Sequence, residues 1–233
     1  MRRVLNPAVL ALTAAMLPAS PSRAQDFRAK VTVQRTAAGD EAAGNANVVV
    51  WLTPVGSSPP LPPVVHPRLV QKNKRFEPHL LVVPVGTLVE FPNQDPFFHN
   101  VFSLYKGKRF DLGLYEAGSS RSVRFDRPGV SFIFCNIHPE MSAAVVALET
   151  PYYGISNNAG AVHIRDVPAG RYRLEVWYER SSPEALRRLA RPISVPAEGP
   201  VTVIEVPEVI AASVPHKNKY GADYDKSTGY KPD

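Results

Sequence analysis

From Phe27 to Gln34 apolar and polar residues alternate, with Phe27, Ala29, Val31 and Val33 set against Arg28, Lys30, Thr32 and Gln34. A period of two is the mark of a strand with one buried face. Asn47 to Leu52 is a nearly unbroken apolar run, and Gly39-Asp40 and Gly44-Asn45 place the turn between these two strands. Val55 to Pro67 is rich in Pro, Gly and Ser and reads as a surface loop or linker. Beyond it, strands are predicted at Leu69–Lys72, Leu80–Val83, Thr87–Phe91, Val101–Leu104, Arg121–Phe125, Val130–Cys135 and Ala143–Glu149. Turn residues separate them at short intervals, and no convincing helix interrupts them, which argues for a β-sandwich. In Val130–Cys135 both faces are apolar, so this strand should be covered on both sides. The Gly107 to Ser120 segment reads as a long polar loop that could lie near the site described below.

A second block follows Pro151. Gly160–Asp166 and Arg171–Tyr178 are predicted strands around the turn Val167-Pro168-Ala169-Gly170. Ser182–Leu189 can form one or two helical turns, and Ile193–Val195 and Val201–Val206 complete a small all-β unit. From 214 to 233 the chain is polar, with nothing to bury, and is expected to be disordered.

Composition changes this picture in three places. Arg2 and Arg3, the apolar run Val9–Leu17 and the small residues of Ser22-Arg23-Ala24 read as a secretory signal, residues 1–24, cleaved after Ala24. The run is too short to span a bilayer, and no membrane span is expected after cleavage. Losing residues 1–24 removes three arginines and no acid, so the formal charge falls from +6 to +3. So mild a charge, without a basic stripe interleaved with aromatics, gives no argument for nucleic acid as a partner. The chain has one cysteine, Cys135, which cannot close an intramolecular disulfide. In an oxidising compartment such a thiol is buried, metal-bound or paired between chains.

The candidate chemistry gathers around that cysteine. Phe134-Cys135-Asn136-Ile137-His138-Pro139-Glu140-Met141 carries a thiol, an imidazole and a thioether at three-residue steps, and His99 lies 36 residues upstream. A thiolate, two imidazoles and a weak thioether form the donor set of a blue-copper centre and suit both Cu(I) and Cu(II). His99, Cys135, His138 and Met141 are therefore the expected metal and cofactor ligands, for one type 1 copper per chain. Asn100 is expected to hydrogen-bond across to the thiolate loop, and Phe97, Phe98 and Phe102 to keep the site dry. Pro139 stiffens the loop, and Glu140, a hard oxygen donor, is expected to be solvated. Pro96, Phe97 and Pro139 make a small apolar patch for docking of a partner beside His138. His66, His79, His163 and His216 have no partner at ligand spacing. Asp95 and Asp111 lie in turn contexts, where aspartate serves the backbone. Trp51 and Trp177 are expected in the core or between domains.

The segments Phe76-Glu77-Pro78, Val85-Gly86-Thr87, Val89-Glu90-Phe91, Asn93, Asp95, His99-Asn100 and Cys135 to Met141 together resemble the cupredoxin family over residues 68–149. The short ligand loop is most similar to that of amicyanin, and the rest of the layout to plastocyanin-like proteins. Phe98 to Ser103 with Phe110 to Tyr115 is similar to bacterial proteins of the methylamine-utilisation type. The resemblance implies an eight-stranded Greek-key sandwich, type 1 copper held by the four residues above, and one-electron transfer in the periplasm to a redox protein. Gly160 to Leu174 resembles carboxypeptidase-regulatory or Cna-B-type sandwiches. The N-terminal strands 27–54 and the block 151–208 are then expected to form one small β-sandwich, with the cupredoxin-like segment inserted between its second and third strands. No catalysis is expected, because four protein ligands leave no open coordination position. The other readings are a periplasmic copper-binding or delivery protein without redox turnover, and a metal-free structural β-protein.

Overall fold

The structure is a computed structural model and describes residues 24–35, 44–63, 67–104, 107–196, 201–209 and 217–224. The predicted signal segment lies outside the described residues apart from Ala24, as do His66 and His216. The strands in chain order are β1 (Gln25–Arg35), β2 (Val49–Pro54), β3 (Val70–Lys72), β4 (Arg75–Glu77), β5 (Leu80–Pro84), β6 (Thr87–Pro92), β7 (His99–Ser103) and β8 (Phe110–Tyr115). They continue as β9 (Ser120–Phe125), β10 (Gly129–Phe134), β11 (Ser142–Leu148), β12 (Tyr153–Ile155), β13 (Ala161–Val167), β14 (Gly170–Trp177), β15 (Arg191–Val195) and β16 (Thr202–Glu208). The one helix among the described residues, α1 (Pro183–Leu189), starts at Ser182, whose side chain accepts from the Ala185 N–H, with Pro183 in its first turn. The protein is all-β, as the alternation predicts.

The strands form three larger sheets, in the orders β13-β1-β16, β12-β2-β14-β15 and β5-β11-β10-β7-β8, together with the pairs β3-β4 and β6-β9. Among the described residues, β1 and β2 pair only with strands that follow Pro151: β1 with β13 and β16, β2 with β12 and β14. Phe27, Ala29, Val31 and Val33 supply the buried face of β1, in the register that the alternation requires.

Strand β11 joins two cores. Ala143, Val145 and Ala147 face the core that also holds Cys135 and Met141, and Ala144, Val146 and Leu148 face the core shared with β1, β2 and β14. Strand β10 does the same: Ile133 lies in the first core, while the Phe132 ring meets Trp177 of β14 at 6.3 Å. Covered on both faces, these strands can carry the near-continuous apolar sequences they have.

Three strands escape the alternation. The segment read as a polar loop at 107–120 contains β8, which pairs with β7 through His99↔Tyr115 and Asn100↔Leu114. Gly113, at φ +67°, and the exposed Asp111 and Leu114 blur its period of two. Strands β4 and β12 have only three residues each, too few to show a pattern.

His79 ties the two cores together from outside. Its Nδ1 lies 3.1 Å from the Ser142 carbonyl and its Nε2 2.6 Å from the Glu179 carboxylate. The hydrogen bond to Glu179, opposed by partial burial, raises its pKa above 6.5. A raised histidine contributes stability that is complete below 6.5 and lost as pH rises through the folded value. Wild-type protein should therefore lose more thermal stability than His79→Ala between about pH 5.5 and about pH 8.5. The side chain is 47 % exposed, so screening by solvent keeps the difference small. Parallel melting curves at the two pH values would refute it.

Candidate metal centre

The site forms where β7, β10 and β11 meet. Strand β10 pairs with β7 through Phe134↔Phe102, antiparallel, so the next residue, Cys135, arrives beside the start of β7 at His99 and Asn100. Strands β10 and β11 form a hairpin in which Phe134 opposes Ser142, leaving Cys135 to Met141 as its loop. That loop is closed internally: the Cys135 N–H donates to the Met141 carbonyl at 3.2 Å and the Met141 N–H to the His138 carbonyl at 3.1 Å. The Cys-x₂-His-x₂-Met spacing thus fits one tight turn on a hairpin end.

His99 Nδ1 lies 3.7 Å from Cys135 Sγ, and His138 Nδ1 lies 3.6 Å from the same sulfur. All three donor atoms fall within 4.8 Å of one another. A first-row ion with about 2.3 Å to sulfur and about 2.0 Å to nitrogen, at angles near those of a trigonal or tetrahedral site, sets sulfur and nitrogen about 3.5–3.8 Å apart. Both measured separations fall in that range. His99 and Cys135 are fully buried and His138 is half-buried, and the two imidazole centroids stand 4.9 Å apart. Met141 is fully buried in the core that holds Cys135.

The tautomer of His99 follows from its neighbour. Its Nε2 lies 2.8 Å from Asp95 Oδ2, and an ionised carboxylate only accepts, so Nε2 carries the proton and Nδ1 presents a lone pair to the sulfur. Asp95 also accepts from the Asn73 N–H at 2.6 Å and the Lys74 N–H at 2.9 Å. Burial opposes the charge of Asp95, but its hydrogen bonds with His99, Lys74 and Asn73 hold the carboxyl below the usual aspartate value. Reading Asp95 as a turn residue missed this. It does serve the backbone, and it also orients a ligand candidate, a role that the four-residue step from Asp95 to His99 could have suggested.

Burial above all, with the neighbouring His99 and Lys74 acting in the same direction, depresses the His138 pKa to about 4, so this imidazole is neutral and able to ligate at neutral pH. Burial pushes the Cys135 thiol up, and the backbone N–H groups of Asn100, Ile137 and His138, aimed at the sulfur, pull the other way. Those three donors stabilise a thiolate once a cation is present.

Asn100 reaches the Cys135 sulfur by its backbone and not by its side chain. Its Nδ2 donates instead to Asp111 Oδ1 at 2.7 Å, and its buried Oδ1 has no partner among the described residues. Asp111 is thus a second aspartate whose role the turn reading did not show. Phe97 packs against both imidazoles, at 5.2 Å from His99 and 5.6 Å from His138. Phe102 is buried against Phe134 at 5.9 Å, whereas Phe98 is 56 % exposed and does not dry the site. Pro96 and Glu140 are exposed, and Pro139 is half-buried. His79 and His163 are paired with Glu179 and Asp26, away from the cluster. Part of the segment expected to be disordered is placed on the site: Tyr224 donates to the Cys135 carbonyl at 2.9 Å, and the Lys219 N–H to Asn136 Oδ1 at 2.9 Å.

Fold and site together define an all-β protein with a buried histidine–cysteine–histidine cluster of metal-binding character. No protein-family model and no curated protein matches the sequence. Among solved structures, a purple cupredoxin from Nitrosopumilus maritimus is similar, with 24 % identity over 35 % of this chain and 99 % of its own, at a TM-score of 0.32. A Cu(I) form of a methionine-to-alanine variant of amicyanin aligns at 20 % identity over 42 % of this chain and 98 % of its own, TM-score 0.34. A copper-containing nitrite reductase from Thermus scotoductus aligns at 22 % identity over 51 % of this chain and 28 % of its own, TM-score 0.36. The expectation of no catalysis is withdrawn on that last finding, since an enzyme stands among the matching structures. No helix among the described residues is long and apolar enough to cross a membrane.

Proposed function

We propose that this chain is an exported type 1 copper protein that would bind one copper through His99, Cys135, His138 and Met141, and would pass single electrons between periplasmic redox partners. One observation carries the reading. Two imidazole Nδ1 atoms converge on one buried sulfur, at 3.7 and 3.6 Å, and a thiol has a single proton to share between them. A cation satisfies all three donors at once. Copper held by such soft and borderline donors supplies a one-electron couple.

The chain's own residues then do three things. Asp95 fixes the His99 ring. The three N–H groups at Cys135 Sγ steady the thiolate. Phe97, with its ring against both imidazoles, keeps water from the donors. Complete burial of His99, Cys135 and Met141 favours a retained ion over one delivered to an acceptor. The pairings of β1 and β2 support a division in which 27–54 and 151–208 make one sandwich and 68–149 is inserted in it.

His138 is the proposed edge for electron passage, with Pro96, Phe97 and Pro139 as the docking patch. Pro139→Asp should slow electron transfer to a redox partner about tenfold or more, by desolvation of the new charge on docking, with an unaltered copper spectrum. An unchanged rate in stopped-flow mixing would dismiss the patch.

The reading is tested by adding Cu(II) to the purified protein. An intense visible thiolate-to-copper charge-transfer band is expected, absent in Cys135→Ser. A colourless wild-type protein would refute it, and loss of Cu(I) to an acceptor on reduction would favour the delivery role.

A further inference from the structure

Residues 217–224 form a small closed unit. Asn218 Oδ1 accepts from the Tyr220 and Ala222 N–H groups, both at 3.0 Å, and the Asn218 N–H donates to the Ala222 carbonyl at 2.9 Å. This self-satisfied turn presents two side chains and one N–H to the metal centre. Tyr224 donates its hydroxyl to the Cys135 carbonyl, and the Lys219 N–H donates to Asn136 Oδ1. The Lys219 ammonium lies 2.8 Å from Asp111 Oδ2. The same carboxylate holds Asn100 Nδ2 on its other oxygen, and the Asn100 N–H is aimed at Cys135 Sγ.

The tail unit is therefore bonded to both halves of the site, the thiolate loop through Cys135 and Asn136, and the His99 strand through Asp111 and Asn100. Cys135 lies just past the end of β10, where the sheet ladder stops. The Tyr224 hydroxyl gives its carbonyl a partner there.

We propose that residues 217–224 are a strap that braces the candidate metal centre, with Tyr224 and Lys219 as positioning residues that hold the 135–141 loop against β7. The strap slows both the opening of the loop and the escape of an ion from it. Its effect on the loop is independent of metal, whereas its effect on ion escape rests on the copper reading above.

The test uses the full chain with Tyr224→Phe and Lys219→Met, singly and together, beside the wild type. Amide hydrogen exchange at Ile137 and His138 in metal-free protein should quicken about three- to tenfold in each single variant, the range expected for one lost hydrogen bond, and further in the double variant. Transfer of copper from the loaded protein to a competing chelator should quicken by a similar factor. Exchange and release rates equal to those of wild type in the double variant would overturn the strap. Quickened exchange in a protein that takes up no copper would uphold the strap and refute the copper reading.

Discussion

Asp95→Asn is expected to weaken copper binding about ten- to a hundredfold, the range seen when the group that orients a metal-binding histidine is lost. Asp95 accepts from three donors: the His99 ring, the Asn73 N–H and the Lys74 N–H. An asparagine of the same shape offers one oxygen and one NH₂ group. Whichever way the amide is turned, a donor faces a donor: with NH₂ in the place of Oδ2 it meets the His99 ring and the Lys74 N–H, and with NH₂ in the place of Oδ1 it meets the Asn73 N–H. Asn73 and Lys74 both hold positive φ, at 53° and 54°, so their turn depends on outside support. The metal-free protein should also lose about 1–3 kcal/mol of stability. Competition against a chelator of known affinity reads the first effect and urea unfolding the second. Unaltered affinity would show that His99 needs no carboxylate to orient it. The pH dependence has a definite sign. The Asp95 pKa is lowered from 3.8, so its contribution to stability is present above that value and lost as pH falls from there through the folded pKa. In Asp95→Asn, that part of the acid destabilisation should vanish.

Phe134→Ala should cost about 3–5 kcal/mol of folding stability, the range for a large aromatic removed from a packed core. The ring is 2 % exposed and lies 5.9 Å from Phe102 and 6.5 Å from Phe132, centroid to centroid. Phe134 also makes the one register pair, with Phe102, that links β10 to β7 and so brings Cys135 to His99. A cavity at this point should loosen the convergence of sulfur and imidazole as well as the fold. Denaturant unfolding measures the stability, and the visible copper band at matched folded fraction measures the site. Phe132→Ala, two residues back on the same face of the strand and half-buried, should spare the site more than the fold. A loss below about 1 kcal/mol in Phe134→Ala would mean that the ring is not packed into the core.

The all-β class and most strands were legible because period-two patterns report burial directly: Phe27, Ala29, Val31 and Val33 needed no neighbour to show their face. The thiolate loop was legible for a similar reason. Cys135, His138 and Met141 are local in sequence, and their hairpin turn closes on itself. Strand β8 was not legible, since its glycine and exposed Leu114 break the pattern and only pairing with β7 makes it a strand. The strap was not legible either. Its sequence is polar because it has little to bury, and its order comes from hydrogen bonds to residues more than 80 positions away, such as Lys219 to Asn136.

Sequence alone determined the β-architecture, the apolar double face of β10 and the set of donor types, because these depend on residue chemistry and short-range spacing. Tertiary structure decided which groups serve those donors. The turn of His99 Nδ1 toward the sulfur by Asp95, the use of Asn100 through its backbone, and the bonding of 219 and 224 to the ligand loop all join distant segments or depend on ring and backbone orientation. Hydrogen bonds are directional and leave no periodic trace along the chain, whereas burial does.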